Sequence, residues 1–161
     1  MLRRLRVRNF KAWRDSGDVR FGPITVFFGA NSAGKSSLGH LLLALKQTVA
    51  SGGSAALDLG AEGSLVELGA FVDCLHGRDP SAVLEFLLEW GLGAPLVVRD
   101  GAGGGCWAGS VLRLSSAVSA GPDGGPRLDG LRYELMEEGE ATLTASLRRE
   151  ADGGWALDAA P

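Results

Sequence analysis

The chain has 161 residues, of which 45% are hydrophobic and 22% are charged, as is typical of one globular domain. A net charge of -3 excludes a protein that attracts nucleic acid through an overall basic field. Cys74 and Cys106 form no CxxC pair, so neither a zinc site nor a disulfide framework is predicted. No signal peptide and no stretch long enough to span a bilayer are apparent, which predicts a cytoplasmic protein without membrane contact.

The first thirty residues are predicted to contain three strands. LRRLRVRNF (residues 2–10) alternates loosely, with Leu5 and Val7 on one face, and the short strand VRF (residues 19–21) follows a turn. ITVFF (residues 24–28) combines β-branched and aromatic residues without alternation. This pattern is typical of a strand that is buried on both faces.

A helix is predicted next, over KSSLGHLLLALKQTVA (residues 35–50), and SGGS (residues 51–54) is expected to end it. Its apolar residues have helical spacing: Leu38, Leu41, Leu42, Leu45 and Val49. SLVELGAFVDCLHGRD (residues 64–79) is predicted to contain a short strand and one helical turn.

The remainder of the chain is predicted to be an antiparallel meander of short strands. Residues 83–90 alternate with a period of two and have one apolar face, and APLVVRD (residues 94–100) is predicted to be a separate strand. GAGGG (residues 101–105) is predicted to be a flexible link. We expect a single lobe over residues 1–161, in which residues 107–161 form a possible sub-lobe, and the tail ADGGWALDAAP does not suggest a completed core element.

The strongest motif is GANSAGKS (residues 29–36), which fits GxxxxGK[ST] at every fixed position and lies between a predicted strand and a predicted helix. Glycines let successive backbone N–H groups point inward around phosphate oxygens, and the helix directs its positive end at the same place. Lys35 is expected to bridge the β- and γ-phosphates and to stabilise their charge, and the Ser36 hydroxyl to hold Mg²⁺. The simpler interpretation is a Gly/Ser-rich turn with an incidental lysine. The predicted nucleotide-binding residues are Gly29, Ala30, Asn31, Ser32, Ala33, Gly34, Lys35, Ser36 and Ser37.

ATP is the expected nucleotide, because the chain lacks the later Asn-Lys-x-Asp motif with which GTPases read guanine. Asn9-Phe10-Lys11, a short strand, an apolar strand and the loop with Asn31 together resemble the opening of the SMC/RecF/OLD branch of ABC-type ATPases, near bacterial AAA-labelled ATPases of the OLD kind. The resemblance is strong over residues 1–50 and moderate to about residue 80. It implies an α/β P-loop NTPase fold, here an incomplete head: an ABC-ATPase-like N-terminal lobe with a mixed sheet and an antiparallel β-rich C-terminal portion.

The same resemblance implies roles for individual residues. Lys11 would lie near the nucleotide, or else be an ordinary exposed lysine at a strand end. Asn31 would orient the γ-phosphate, or else only tolerate a turn. Phe10 and Trp13 either flank the base or, as we favour, pack under the loop. A DNA or nuclease partner is implied by the family alone.

The elements that hydrolysis requires are missing from the sequence. No apolar strand ends in the Asp-Glu pair of a Walker B motif, since Glu89 and Asp100 have structural contexts, and no LSGGQ-like signature is present. Gln47 is too far along the helix to reach the metal, and His40 and His76 have no recognisable partners. We therefore expect Mg-ATP binding, with turnover only after a second lobe or dimer partner joins. The alternative is a structural or interaction module with a vestigial nucleotide site; a small P-loop kinase is a weaker possibility.

Overall fold

The fold is taken from a computed structural model, which describes residues 1–52, 55–101 and 104–161. The predicted helix-ending SGGS and the predicted link GAGGG therefore fall partly outside the described residues. The strands are β1 (Leu2–Phe10), β2 (Trp13–Asp15), β3 (Val19–Arg20), β4 (Leu84–Arg99), β5 (Cys106–Ala120), β6 (Pro126–Glu137), β7 (Glu140–Arg149) and β8 (Trp155–Ala160). The helices are α1 (Lys35–Ala50), the single turn α2 (Phe71–Cys74) and a 3-10 turn (His76–Arg78).

The strands form one eight-stranded sheet in the order β2-β1-β4-β5-β6-β7-β8, with β3 also paired to β1. Every strand pairing within the described residues is antiparallel. The predicted α/β P-loop NTPase fold is therefore wrong for this chain, and so is the ABC-type P-loop ATPase class that depends on it. Strand accounts for 47% and helix for 15% of the structure, which makes it a mainly antiparallel β protein.

Residues 24–28 form no strand, and for this reason the chain does not have the predicted α/β fold. A P-loop fold needs this segment as a central parallel strand, but among the described residues no backbone hydrogen bond joins it to the sheet. Ile24 is 86% exposed and Phe28 is 89% exposed, so the prediction of a strand buried on both faces is wrong as well. The ring of Phe27 packs edge-on against Phe21, with a centroid distance of 6.3 Å.

The predictions for the helix and for the meander are confirmed. Helix α1 begins at Lys35 and ends at Ala50, and it buries Leu38 and Leu41. β4 to β8 follow one another as antiparallel neighbours. One boundary differs from the sequence prediction, because residues 94–99 continue β4 after a register irregularity. The last strand of the meander, β8, pairs with β7 at the edge of the sheet.

The core lies between α1 and one face of the sheet. In β1 and β4 the alternating side chains Leu5, Val7, Leu84, Phe86 and Leu88 are buried against the helix, as the period-two pattern predicts. Burial of this apolar surface, at about 25 cal/mol per Å², is the main force that holds α1 on the sheet. No helix in the described part of the chain is long and apolar enough to cross a membrane.

The opposite face of the sheet is polar, and a ladder of charges crosses it. Arg4 contacts Glu89 at 2.9 Å, Glu89 contacts Arg113 at 3.1 Å, and Glu134 accepts from Arg113 and from Arg132. These residues lie on four neighbouring strands, in the register that places them side by side. The ladder therefore compensates charge across the open face.

Candidate phosphate-binding site

The loop that precedes α1 is shaped by residues with positive φ. Ser32 has a φ of 63°, and Gly34, the residue at which α1 is capped, has a φ of 85°. A Cβ atom on Gly34 would lie 2.8 Å from the Cβ of Ala12 and 2.9 Å from Nε1 of Trp13. Backbone conformation and lack of space therefore both require glycine at this position.

The N-terminus of α1 has no side-chain cap among the described residues, and its first turn contains no acidic residue. Helices leave their first N–H groups without carbonyl partners, and their dipole makes this end positive. The N–H of Ser37 donates to the carbonyl of Gly34 at 3.0 Å, which closes the first turn. The backbone N–H groups of Lys35 and Ser36 lie at this open end.

The ammonium of Lys35 lies against the start of the loop. Nζ donates to the carbonyl oxygens of Gly29, at 2.9 Å, and of Ala30, at 2.7 Å. Within the described chain, neither Lys35 nor Lys11 forms an ion pair with a carboxylate. Neither positive charge is therefore neutralised by a carboxylate in this part of the chain.

A cavity of about 320 Å³ lies at the N-terminus of α1. It is lined by Lys11, Ala12, Ser32, Ala33, Gly34, Lys35, Ser36 and Ser37. Most of the predicted binding residues thus meet there, Lys11 among them. Gly29 and Ala30 contribute through their carbonyl contacts with Lys35, whereas Asn31 is exposed and does not line the cavity.

The cavity lining could supply few ligands to a magnesium ion, so it suits an ion whose other ligands are phosphate oxygens and water. The Ser36 hydroxyl is its candidate ligand, but no acidic side chain lines the cavity. The described residues also contain no cluster of His, Cys, Asp or Glu that could hold a metal. Mg²⁺ keeps several waters and often takes few protein ligands beside substrate phosphates. Ser36 with a bound phosphate fits that chemistry.

Trp13 packs beneath the loop, which is the arrangement that we favoured from the sequence. Its indole Nε1 donates to the carbonyl of Gly34 at 3.0 Å. Phe10 is fully buried in the core and so does not flank a ligand. Sequence reasoning missed the contact of Ala12 with the loop; its proximity to Lys11 in the Asn-Phe-Lys motif is the signal that could have indicated it.

The residues that the sequence analysis set aside lie away from the cavity. Glu89 belongs to the charge ladder, and Asp100 lies at the turn after β4, where its N–H donates to the carbonyl of Gly105. Gln47 is buried and donates to the carbonyl of Asp58 at 2.8 Å. Gln47 therefore holds the segment after α1 and does not serve the site. His40 does not line the cavity either.

A larger concavity, of about 450 Å³, lies on the polar face of the sheet. Arg6 and Arg8 line it, but both donate to Asp15, at distances of 2.6 to 3.0 Å. The hydrogen bonds from Arg6 hold the pKa of Asp15 well below its usual range. Because Asp15 compensates these two arginines, and because no helix N-terminus contributes to the lining of this concavity, we regard the smaller cavity at the start of α1 as the better anion site.

Comparisons of the sequence with models of known protein families and with curated proteins give no match. No comparison therefore supports the resemblance to SMC/RecF/OLD ATPases that Asn9-Phe10-Lys11 and the loop at 29–36 suggested, and the antiparallel sheet conflicts with it. Lys11 of the first motif and residues 32–36 of the loop nevertheless line one cavity.

Proposed function

We propose that residues 29–37 and Lys11 bind the phosphate groups of a nucleoside triphosphate, ATP with Mg²⁺. The observation that carries this proposal is the uncapped N-terminus of α1 at a cavity lined by two lysines that have no carboxylate partner among the described residues. A helix N-terminus together with backbone amides and lysine is the usual protein chemistry for phosphate. The proposal concerns this loop and its ligand and does not extend to the α/β fold.

The preference for adenine rests on the resemblance. No aromatic side chain lines the cavity, and its volume of about 320 Å³ is at the lower end for ligand pockets. A small cavity without aromatic side chains suits the phosphate groups of a nucleotide better than its base. Family resemblance also motivates the proposal of a DNA or nuclease partner, and a cytoplasmic location accords with two free cysteines.

For turnover, we propose that a second polypeptide segment, either a second lobe or a dimer partner, must join this site. The lining contains no carboxylate to position water or metal. Next to the loop, residues 24–28 expose apolar side chains and unpaired backbone groups, which is the kind of surface to which a partner adds a strand. The chain alone should therefore release no more phosphate from ATP than its Lys35→Ala variant does. Turnover clearly above that background would contradict this part of the proposal.

Calorimetric titration with Mg-ATP tests binding itself. We expect Lys35→Ala to weaken affinity by tenfold or more, equivalent to at least about 1.4 kcal/mol, because a charge-assisted contact with phosphate is lost. The matched control is Lys46→Ala, which removes an exposed lysine from the same helix away from the cavity. Equal affinities of the wild type, Lys35→Ala and Lys46→Ala would overturn the proposal.

The second candidate is a structural module whose site no longer binds nucleotide. It is favoured by the lack of acidic residues in the cavity and by the contacts of Lys35 with its own loop carbonyls. The same titration separates the two candidates, because a vestigial site would give no binding heat with the wild-type protein.

A further inference from the structure

The turn between β1 and β2 (residues 11–13) contacts the loop at residues 29–36 near Gly34. Trp13 donates its indole N–H to the carbonyl of Gly34, and the Cβ of Ala12 leaves no room for a side chain on Gly34. Lys11, the first residue of the turn, lines the cavity. The position of this turn therefore determines where Lys11 lies relative to the loop.

On its other side, the turn is held by the segment that joins α2 to the 3-10 turn. The N–H of Lys11 donates to the carbonyl of Cys74 at 2.7 Å, and Phe10 forms an isolated antiparallel bridge with Leu75. Nδ1 of His76 lies 3.0 Å from the carbonyl oxygen of Lys11. Because a carbonyl oxygen only accepts, Nδ1 carries the proton and donates it.

These contacts hold Lys11 in a backbone conformation that is unfavourable by itself. Lys11 has a φ of 47°, in the left-handed region that residues with a Cβ atom rarely adopt. Such conformations persist where the surroundings fix them, and they concentrate at functional sites. The N–H and the C=O of Lys11 are both bound by residues 74–76, and His76 provides the contact made by a side chain.

We infer that His76 is a positioning residue of the phosphate site, which acts by fixing the backbone of Lys11 so that this lysine faces the bound phosphates. The inference rests on the proposed function and adds to it a residue that no sequence motif indicated. His76 does not itself line the cavity, so its effect on a ligand passes through Lys11.

Removal and replacement of the donor test the inference. We expect His76→Ala to raise the Kd for Mg-ATP about fivefold, which corresponds to the roughly 1 kcal/mol of one hydrogen bond. His76→Asn should restore most of the affinity, since its amide nitrogen can donate from nearly the same place as Nδ1. His40→Ala is the matched control and should leave the Kd unchanged, because within the described residues the His40 side chain forms no hydrogen bond with a residue of the cavity lining.

A double-mutant cycle with Lys11 separates positioning from general stability. If His76 acts through Lys11, His76→Ala should add no further loss to Lys11→Ala. A merely structural histidine would lower the melting temperature and leave the Kd well below that temperature unchanged. An unchanged Kd in His76→Ala, or independent losses that add in the double variant, would overturn the inference while leaving the proposed function intact. Absence of wild-type binding would instead overturn the proposed function, and this inference with it.

Discussion

The two flanks of the phosphate loop differ sharply. Downstream, α1 is packed into the core, with Leu38 and Leu41 buried against the sheet. Upstream, residues 24–28 form no strand, and most of their apolar side chains face solvent. The loop nevertheless lines a cavity, because the turn at residues 11–13 packs against it and Trp13 donates a hydrogen bond to Gly34. Its shape thus depends on α1 and on this turn, and not on a preceding strand.

The largest effect is expected from a pair of substitutions, one on each flank. Leu41→Ala should lower the free energy of unfolding by about 2–5 kcal/mol, because it leaves a cavity beneath α1. Phe28→Ser should change it by no more than about 0.5 kcal/mol, since the ring is already exposed. Urea unfolding followed by circular dichroism measures both. A large loss in Phe28→Ser would mean that the upstream flank packs against the fold in solution.

A second pair of substitutions tests the loop against its own helix. Gly34→Ala should cost about 1–3 kcal/mol, because alanine is strained at a φ of 85° and its Cβ would meet Ala12 and Trp13. Gly39→Ala, in the middle of α1 with nothing within 4 Å of the added Cβ, should instead stabilise by about 0.5–1 kcal/mol. Thermal unfolding of both variants measures the difference. Stabilisation by Gly34→Ala would show that the turn does not press on the loop.

The smallest effect is expected at Asp15, which binds Arg6 and Arg8 at the edge of the sheet next to the turn. Its pKa is lowered in the folded state by hydrogen bonds from Arg6, so its contribution to stability is present above the unfolded pKa of about 3.9 and is lost as the pH falls through the lower folded value. Asp15→Asn should lower the melting temperature slightly at pH 7, and this difference should shrink below about pH 4.

The control for this prediction is Glu62→Gln, because Glu62 forms no ion pair within the described residues. Substitution of Glu62 should leave the melting temperature unchanged at pH 7 and at pH 3. An Asp15→Asn difference that grows as the pH falls from 7 to 3 would reverse the sign of the linkage and contradict the ion-pair geometry.

Local pattern was sufficient to predict much of the fold. The spacing of Leu38 and Leu41 identified the helix, and the alternation in residues 84–90 identified a strand with one buried face. The glycines and Lys35 identified the loop. These features are encoded by neighbours in sequence, so a single chain is enough to read them.

The local patterns did not predict contacts between segments that are far apart in the sequence. ITVFF has the composition of a buried strand, but burial requires partner strands and covering layers, and the described chain supplies neither. His76 contacts Lys11 across 65 residues of sequence, a proximity that no local motif encodes. The sequence-based α/β fold was wrong for the first reason, and the role of His76 was missed for the second.

Thermal unfolding with two matched ligands tests most directly whether the loop binds phosphate. We predict that Mg-ATP raises the melting temperature of the wild type, by the equivalent of about 2.7 kcal/mol at a hundredfold excess over Kd, and that adenosine, which lacks phosphates, does not. At the same ligand concentration, Lys35→Ala should reduce this response to the equivalent of about 1.4 kcal/mol or less, and Lys46→Ala should keep it in full. No shift with Mg-ATP, or equal shifts with Mg-ATP and adenosine, would contradict phosphate binding by this loop.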